Sequence, residues 1–134
     1  MREIKNEYVI LSAQLNGLTP SINERRHETL ITMLDDLRVR YNVVNGFYNG
    51  FTETSVMVTL EHFKGFTEDF FAEIACKNFN QESILYIDKN NNARLIKETI
   101  IEYLGKFVPV TQQIANQLDA FTWIPETNKF YGVL

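Results

Sequence analysis

Few residues in this chain have the types and spacing to do chemistry, and the densest group lies in GFYNGFTETS, Gly46 to Ser55. Two glycines and three aromatics, Phe47, Tyr48 and Phe51, surround the approach to one carboxylate, Glu53. An apolar run, Val56 to Leu60, follows. Glycines let a backbone come close to a ligand, and aromatics on a connection between elements serve as ligand walls. A carboxylate at the mouth of such a wall would attract a cation. The plainer reading is a long connection between two strands, with its aromatics packed on the rest of the fold. The residues alone leave both readings open.

The other candidates have ready structural explanations. His27 falls on an apolar helical stripe beside Arg26, where a hydrogen-bonded core histidine is the commoner case. Cys76 has no base near it in sequence and reads as a small core residue. Glu68 and Asp69 open a helix, where acids complement the dipole, and Glu73 follows on the same helix. Tyr86 and Asp88 sit at a strand end, and Asp88 reads as turn chemistry. His27, His62 and Cys76 are scattered, so no metal-ligand spacing is present and neither a metal nor a cofactor is expected.

The elements that must position these residues follow from patterning. The chain of 134 residues, 45% hydrophobic and 22% charged, reads as a single soluble globular domain over residues 1–134. A net charge of −4 with no basic cluster argues against nucleic acid as a partner. No apolar run approaches a membrane span and no signal peptide is recognised, and the single cysteine suits a reducing cytoplasm. EYVILSAQL reads as a buried first strand. Ser21, three residues before Glu24, is the expected cap of a helix with His27, Leu30, Ile31, Leu34 and Leu37 on one stripe. RYNVVNGFYNG and TSVMVTLE read as two strands. Thr67 caps a second helix that buries Phe70, Phe71 and Ile74, with Phe79 a further candidate. ESILYIDKNNNARLI is a hairpin, and FTWIPETNKFYGVL a last one turning at Glu126 to Asn128. Residues 97–118 fit helix or strand, although Pro109 argues against a long helix. The βαββαβ order predicts an α+β, ferredoxin-like antiparallel sheet with two helices on one face and extra C-terminal strands.

Four stretches, YVILSAQ (8–14), NERRHETL (23–30), ACKNFNQESILY (75–86) and FTWIPETNKFYGV (121–133), carry a family resemblance. In that order and spacing the chain resembles the phage-encoded enzymes that destroy S-adenosylmethionine (SAM), formerly called SAM hydrolases and now SAM lyases. The matching positions are Tyr8, Val9, Ser12, Ala13, Asn23, Arg26, His27, Ala75, Cys76, Gln81, Leu85, Phe121 and Thr122. The tyrosine of GFY and the acid after it, Tyr48 and Glu53, also match.

The resemblance implies a ferredoxin-like homotrimer with active sites between subunits. It implies cleavage of SAM to 5′-methylthioadenosine and homoserine lactone, which removes host SAM and counters restriction. Joined to the residue reading, it makes Glu53 and Tyr48 the catalytic candidates. Ser12, Ala13, Gln14, Phe47, Phe51 and Gly50 become substrate contacts, with Glu53 holding the methionyl ammonium or facing the sulfonium. Two alternatives stand beside it: a SAM hydrolase giving homoserine, and a non-catalytic trimeric sponge for nucleotides.

Overall fold

The computed structural model describes residues 6–48, 50–61, 64–97 and 100–134. Its first strand, β1 (Tyr8–Ser12), buries Val9 and Leu11 on one face while Tyr8 and Ile10 take the other, as strand alternation requires. Helix α1 (Pro20–Leu37) is capped by Thr19, whose hydroxyl accepts from the Ile22 N–H at 3.2 Å. Pro20 suits the first helical position, where its missing N–H is no loss, so the cap falls two residues before the expected Ser21. Leu30 and Leu34 are fully buried, with Ile31 and Leu37 packed beside them, as the stripe predicted.

Strands β2 (Tyr41–Tyr48) and β3 (Phe51–Thr59) pair down to Tyr48↔Phe51. Only two residues therefore join them, not a long connection. Thr67 caps α2 (Glu68–Glu73), which runs into a π-helical turn, Ile74–Asn78. Phe71, Ala72, Ala75 and Phe79 are its buried residues, while Phe70 and Ile74 are partly covered. Strands β4 (Ser83–Ile87) and β5 (Asn92–Lys97) form the predicted hairpin, and Asp88 Oδ1 accepts from the N–H groups of Asn90 and Asn92. Then come β6 (Ile101–Val110), α3 (Gln112–Ala115), β7 (Ala120–Ile124) and β8 (Lys129–Val133). β6 contains Pro109, which is tolerated because β5 ends opposite Lys106 and only β8 lies beside it there.

The strands close into an antiparallel barrel in the order β1-β3-β2-β7-β8-β6-β5-β4. This corrects the ferredoxin-like expectation. The C-terminal strands are not additions to one edge of an open sheet. β7 pairs with the outer edge of β2, β5 continues from β4, and β6 and β8 join the two arms. Local pattern identifies a strand, but its partner is a long-range choice, which is why the closure was not foreseen.

Two apolar clusters follow from the closure. Val9, Leu11, Val56, Val58, Ile84, Tyr86 and Ile96 face outward and are covered by α1 and α2. Tyr8, Ile10, Met57, Leu85, Ile87, Ala93, Phe107 and Tyr131 share the opposite parity and meet across the barrel interior. Among the described residues no helix is long and apolar enough to cross a membrane.

Candidate functional site

At one end of the barrel the interior turns polar. Ser12 pairs with Ser55, and both are almost completely buried. One rung away, the register runs Glu53↔Gly46↔Thr122↔Tyr131↔Pro109 across five strands. Residues in register share a face of the sheet, so Glu53, Thr122 and Tyr131 all belong to the inner wall. The Gly46 position supports this assignment directly. A Cβ there would lie 3.6 Å from Ser55 Oγ and 3.7 Å from Glu53 Cγ, so those side chains lean over the glycine.

Glu53 is the chemically unusual member. It is half-buried, and burial raises its carboxyl above the ordinary value of 4.5, with a weak opposing hydrogen bond from Ser55 Oγ at 3.5 Å. Among the described residues no cation pairs with it. A desolvated carboxylate without a partner is costly unless a cationic ligand or a proton joins it.

The structure brings some of the sequence-predicted residues together and separates others. Ser12 accepts from the Gln14 N–H at 3.0 Å and donates to the Thr54 carbonyl at 3.1 Å. Gln14 Oε1 accepts from the Thr54 N–H at 2.8 Å. These bonds fix the end of β1 to the β3 residue next to Glu53. Ala13 is fully buried in the outer cluster, so its side chain does not face the rung. Phe51 has the same parity as Glu53. Phe47 has the opposite parity and stacks on Phe121 at 4.3 Å, outside the barrel, so it and Glu53 cannot line one cavity of a single chain. Gly50 sits exposed in the two-residue turn at φ +82 with open space around it, and the turn alone explains it. Tyr48 is placed by register opposite Phe51, and its side chain lies outside the described residues.

Ser55 and Thr122, which stand with Glu53 on the inner wall, were not singled out by sequence reasoning. Ser55 was within reach, because Glu53, Ser55 and Met57 share a strand face by period two. Thr122 was not, because its pairing with β2 spans most of the chain.

Three of the residues that carry the resemblance, Asn23, Arg26 and Gln81, bond to the backbone that follows β1. Asn23 brackets Leu15, accepting from its N–H and donating to its carbonyl, both at 2.9 Å. Arg26 donates to the carbonyls of Ala13 and Phe79 and lies over the Phe79 ring. Gln81 donates to the Gln14 carbonyl at 2.9 Å. Helix α1 and the segment between the π-helical turn and β4 thus converge on residues 13–15, which Ser12 and Gln14 tie to β3. Nearly the whole chain, residues 9–134, matches the model of the S-Adenosylmethionine lyase family. The chain belongs to that family. No individual curated protein matches it.

Two clefts open elsewhere on the described surface. A cleft of about 360 Å³ lies between α2 and β5, lined by Asp69, Cys76, Lys77 and Lys97 among others. Another of about 450 Å³ lies beside Gln112 and Phe130 and reaches Pro109 and Tyr131 at the far end of the rung. Neither contains Glu53. His27 is half-buried with its basicity lowered by burial, and its Nδ1 makes no hydrogen bond to a described residue, so the hydrogen-bonded histidine expected from the sequence is not found at that nitrogen. Among the described residues no group of three His, Cys, Asp or Glu side chains is placed to hold a metal.

Proposed function

We propose that this chain is a SAM lyase that releases 5′-methylthioadenosine and homoserine lactone. The observation that carries the reading is Glu53, a half-buried carboxylate without a cationic partner, in a chain of this family. SAM supplies two cations, an ammonium and a sulfonium, and brings its own nucleophile and leaving group. The methionyl carboxylate oxygen attacks Cγ, the Cγ–S bond breaks, and its electron pair returns to sulfur as a neutral thioether. No proton is consumed and no oxidant is needed.

The protein's task is to fold the methionyl arm and exclude water. Such intramolecular positioning can lower a barrier by roughly 7–11 kcal/mol. Opposite charges on carboxylate and sulfonium cancel along the path, so a poorly hydrated site favours the transition state. Ser12 and Ser55 are polar groups of that site, Phe51 is an apolar wall, and Tyr48 is the second catalytic candidate across the turn. Water attack on the same bond, with Glu53 as general base, would give homoserine instead.

The biological setting we propose is the host cytoplasm, where loss of SAM would disable methyl-dependent restriction. We also propose a homotrimer with sites between subunits. Support comes from β6, whose residues before Lys106 pair, among the described residues, with β5 alone and expose Ile101 and Tyr103. The C-terminal strand β8 is held between β6 and β7.

Incubating the purified chain with SAM and separating early products tests the reading. Methylthioadenosine with homoserine lactone is the expected result. Homoserine at the earliest times indicates water attack, and stoichiometric binding without turnover indicates a sponge. Decarboxylated SAM lacks the carboxylate that closes the lactone, so a lyase should bind it and leave it intact.

A further inference from the structure

Gly46 is a glycine that the fold does not require. Its backbone is not in the left-handed region, and a Cβ would make only ordinary contacts with Ser55 and Glu53. No foreign backbone presses on it, since the nearest such atom is the carbonyl of its register partner Glu53 at 3.9 Å. A glycine inside a strand weakens it relative to alanine, and commonly marks a place where something else approaches closely.

The flanks of this gap are chemically unlike. On β3 stands the Glu53 carboxylate, with no cation beside it among the described residues. On β7 stands Thr122, 8% exposed, whose hydroxyl makes no hydrogen bond to a described residue. Two strand spacings separate their backbones, about 10 Å, and Gly46 between them contributes no side chain, although Ser55 Oγ and Glu53 Cγ come within 3.6 and 3.7 Å of where its Cβ would stand.

Resting on the lyase reading, we infer that the gap over Gly46 seats the α-amino-acid head of SAM, with its ammonium on Glu53 and its carboxylate accepting from the Thr122 hydroxyl. A zwitterionic head has its donor and acceptor on one carbon, so it matches an acid and a hydroxyl on either side of a position that carries no side chain. Thr122 thereby becomes a positioning residue for the attacking carboxylate, and Gly46 the residue that makes room for it. Glu53 selects the ammonium rather than the sulfonium.

Three probes separate the parts of this inference: SAM, methylthioadenosine, which lacks the amino-acid head, and decarboxylated SAM, which lacks only the carboxylate. Gly46→Ala should keep or raise the melting temperature, because alanine suits a strand better. It should weaken kcat/KM for SAM and binding of decarboxylated SAM by about tenfold or more, and leave methylthioadenosine inhibition unchanged. Thr122→Val keeps the shape and removes the hydroxyl. It should lower kcat/KM for SAM by about tenfold or more, and leave decarboxylated SAM binding as in the parent.

Parent-like SAM kinetics in Gly46→Ala, or equal losses for SAM and decarboxylated SAM in Thr122→Val, would overturn the inference while the lyase reading stands. Weakened methylthioadenosine binding in Gly46→Ala overturns it too, by moving the adenosine into the gap. Should Gly46→Ala fail to fold, Thr122→Val with the two SAM probes still decides. A parent chain that neither binds nor cleaves SAM brings down both the inference and the functional reading.

Discussion

At the scale of single residues, a half-buried carboxylate without a cation pulls stability and activity in opposite directions, and Glu53 is such a group. Burial raises its proton affinity in the folded chain above the ordinary 4.5, against a weak bond from Ser55. The folded chain therefore holds a proton at pH values where the unfolded chain has released it. This contribution to stability is full below about 4.5 and is lost as pH rises through the raised folded value. Glu53→Gln should accordingly melt at the same or a higher temperature than the parent at neutral pH, with the difference closing in acid. Turnover should move the other way. If the charge holds the substrate's cation, the glutamine variant loses about tenfold or more in kcat/KM, equivalent to roughly 1.4 kcal/mol of transition-state stabilisation. Parent activity should climb with pH over the window in which parent stability falls. Thermal melts and initial rates across one pH series check both signs, and a variant that is destabilised yet fully active would make Glu53 a structural residue.

At the scale of elements, the site depends on how firmly residues 12–15 are tied to their neighbours. Asn23 bonds both backbone groups of Leu15, and Asn23 is itself nearly buried. Asn23→Ala leaves that N–H and carbonyl unpaired and should destabilise the fold by about 2–4 kcal/mol, read from the denaturant midpoint. Asn23→Asp keeps the acceptor for the Leu15 N–H and should cost less. This tie shows what could be read from the sequence. The strands YVILS and SILYI were legible because each buries alternate residues, and the β4–β5 turn was legible because Asp88 bonds within it. β6 was not, since its first four residues are all exposed and give no burial period. Nor was the face taken by Phe47, which depends on register against β7 rather than on any pattern within β2. Glu53 stood out as an acid after an unusual glycine and aromatic run. Its companion Thr122 could not, because only barrel closure brings them to one wall.

At the scale of the whole molecule, closure and self-association are decided along one strand, β6. Its C-terminal half completes the barrel: Lys106 and Leu134 exchange backbone hydrogen bonds of 2.9 Å, and Phe107 stacks on Tyr131. Gly105 makes that junction possible. Its φ is +136, and a Cβ would fall 2.7 Å from the Leu134 carbonyl oxygen. Gly105→Ala should therefore cost roughly 1–3 kcal/mol from backbone conformation, beyond any displacement of the C-terminus, and lower the melting temperature. The N-terminal half of β6 has the opposite character. Ile101 and Tyr103 are 56% and 73% exposed on a strand that, among the described residues, pairs only with β5 at that point. Exposed apolar side chains beside an open strand edge favour pairing with another chain. If a second and third copy cover this edge, Ile101→Lys should shift the assembly toward monomer by light scattering while leaving the melting cooperative, because Ile101 supports little of the monomer's core. Turnover per chain should fall with the oligomer if the sites lie between subunits, and recover partly at high protein concentration. A trimer that survives Ile101→Lys would place the interface elsewhere, whereas a monomeric parent with full activity would confine the whole reaction to one barrel.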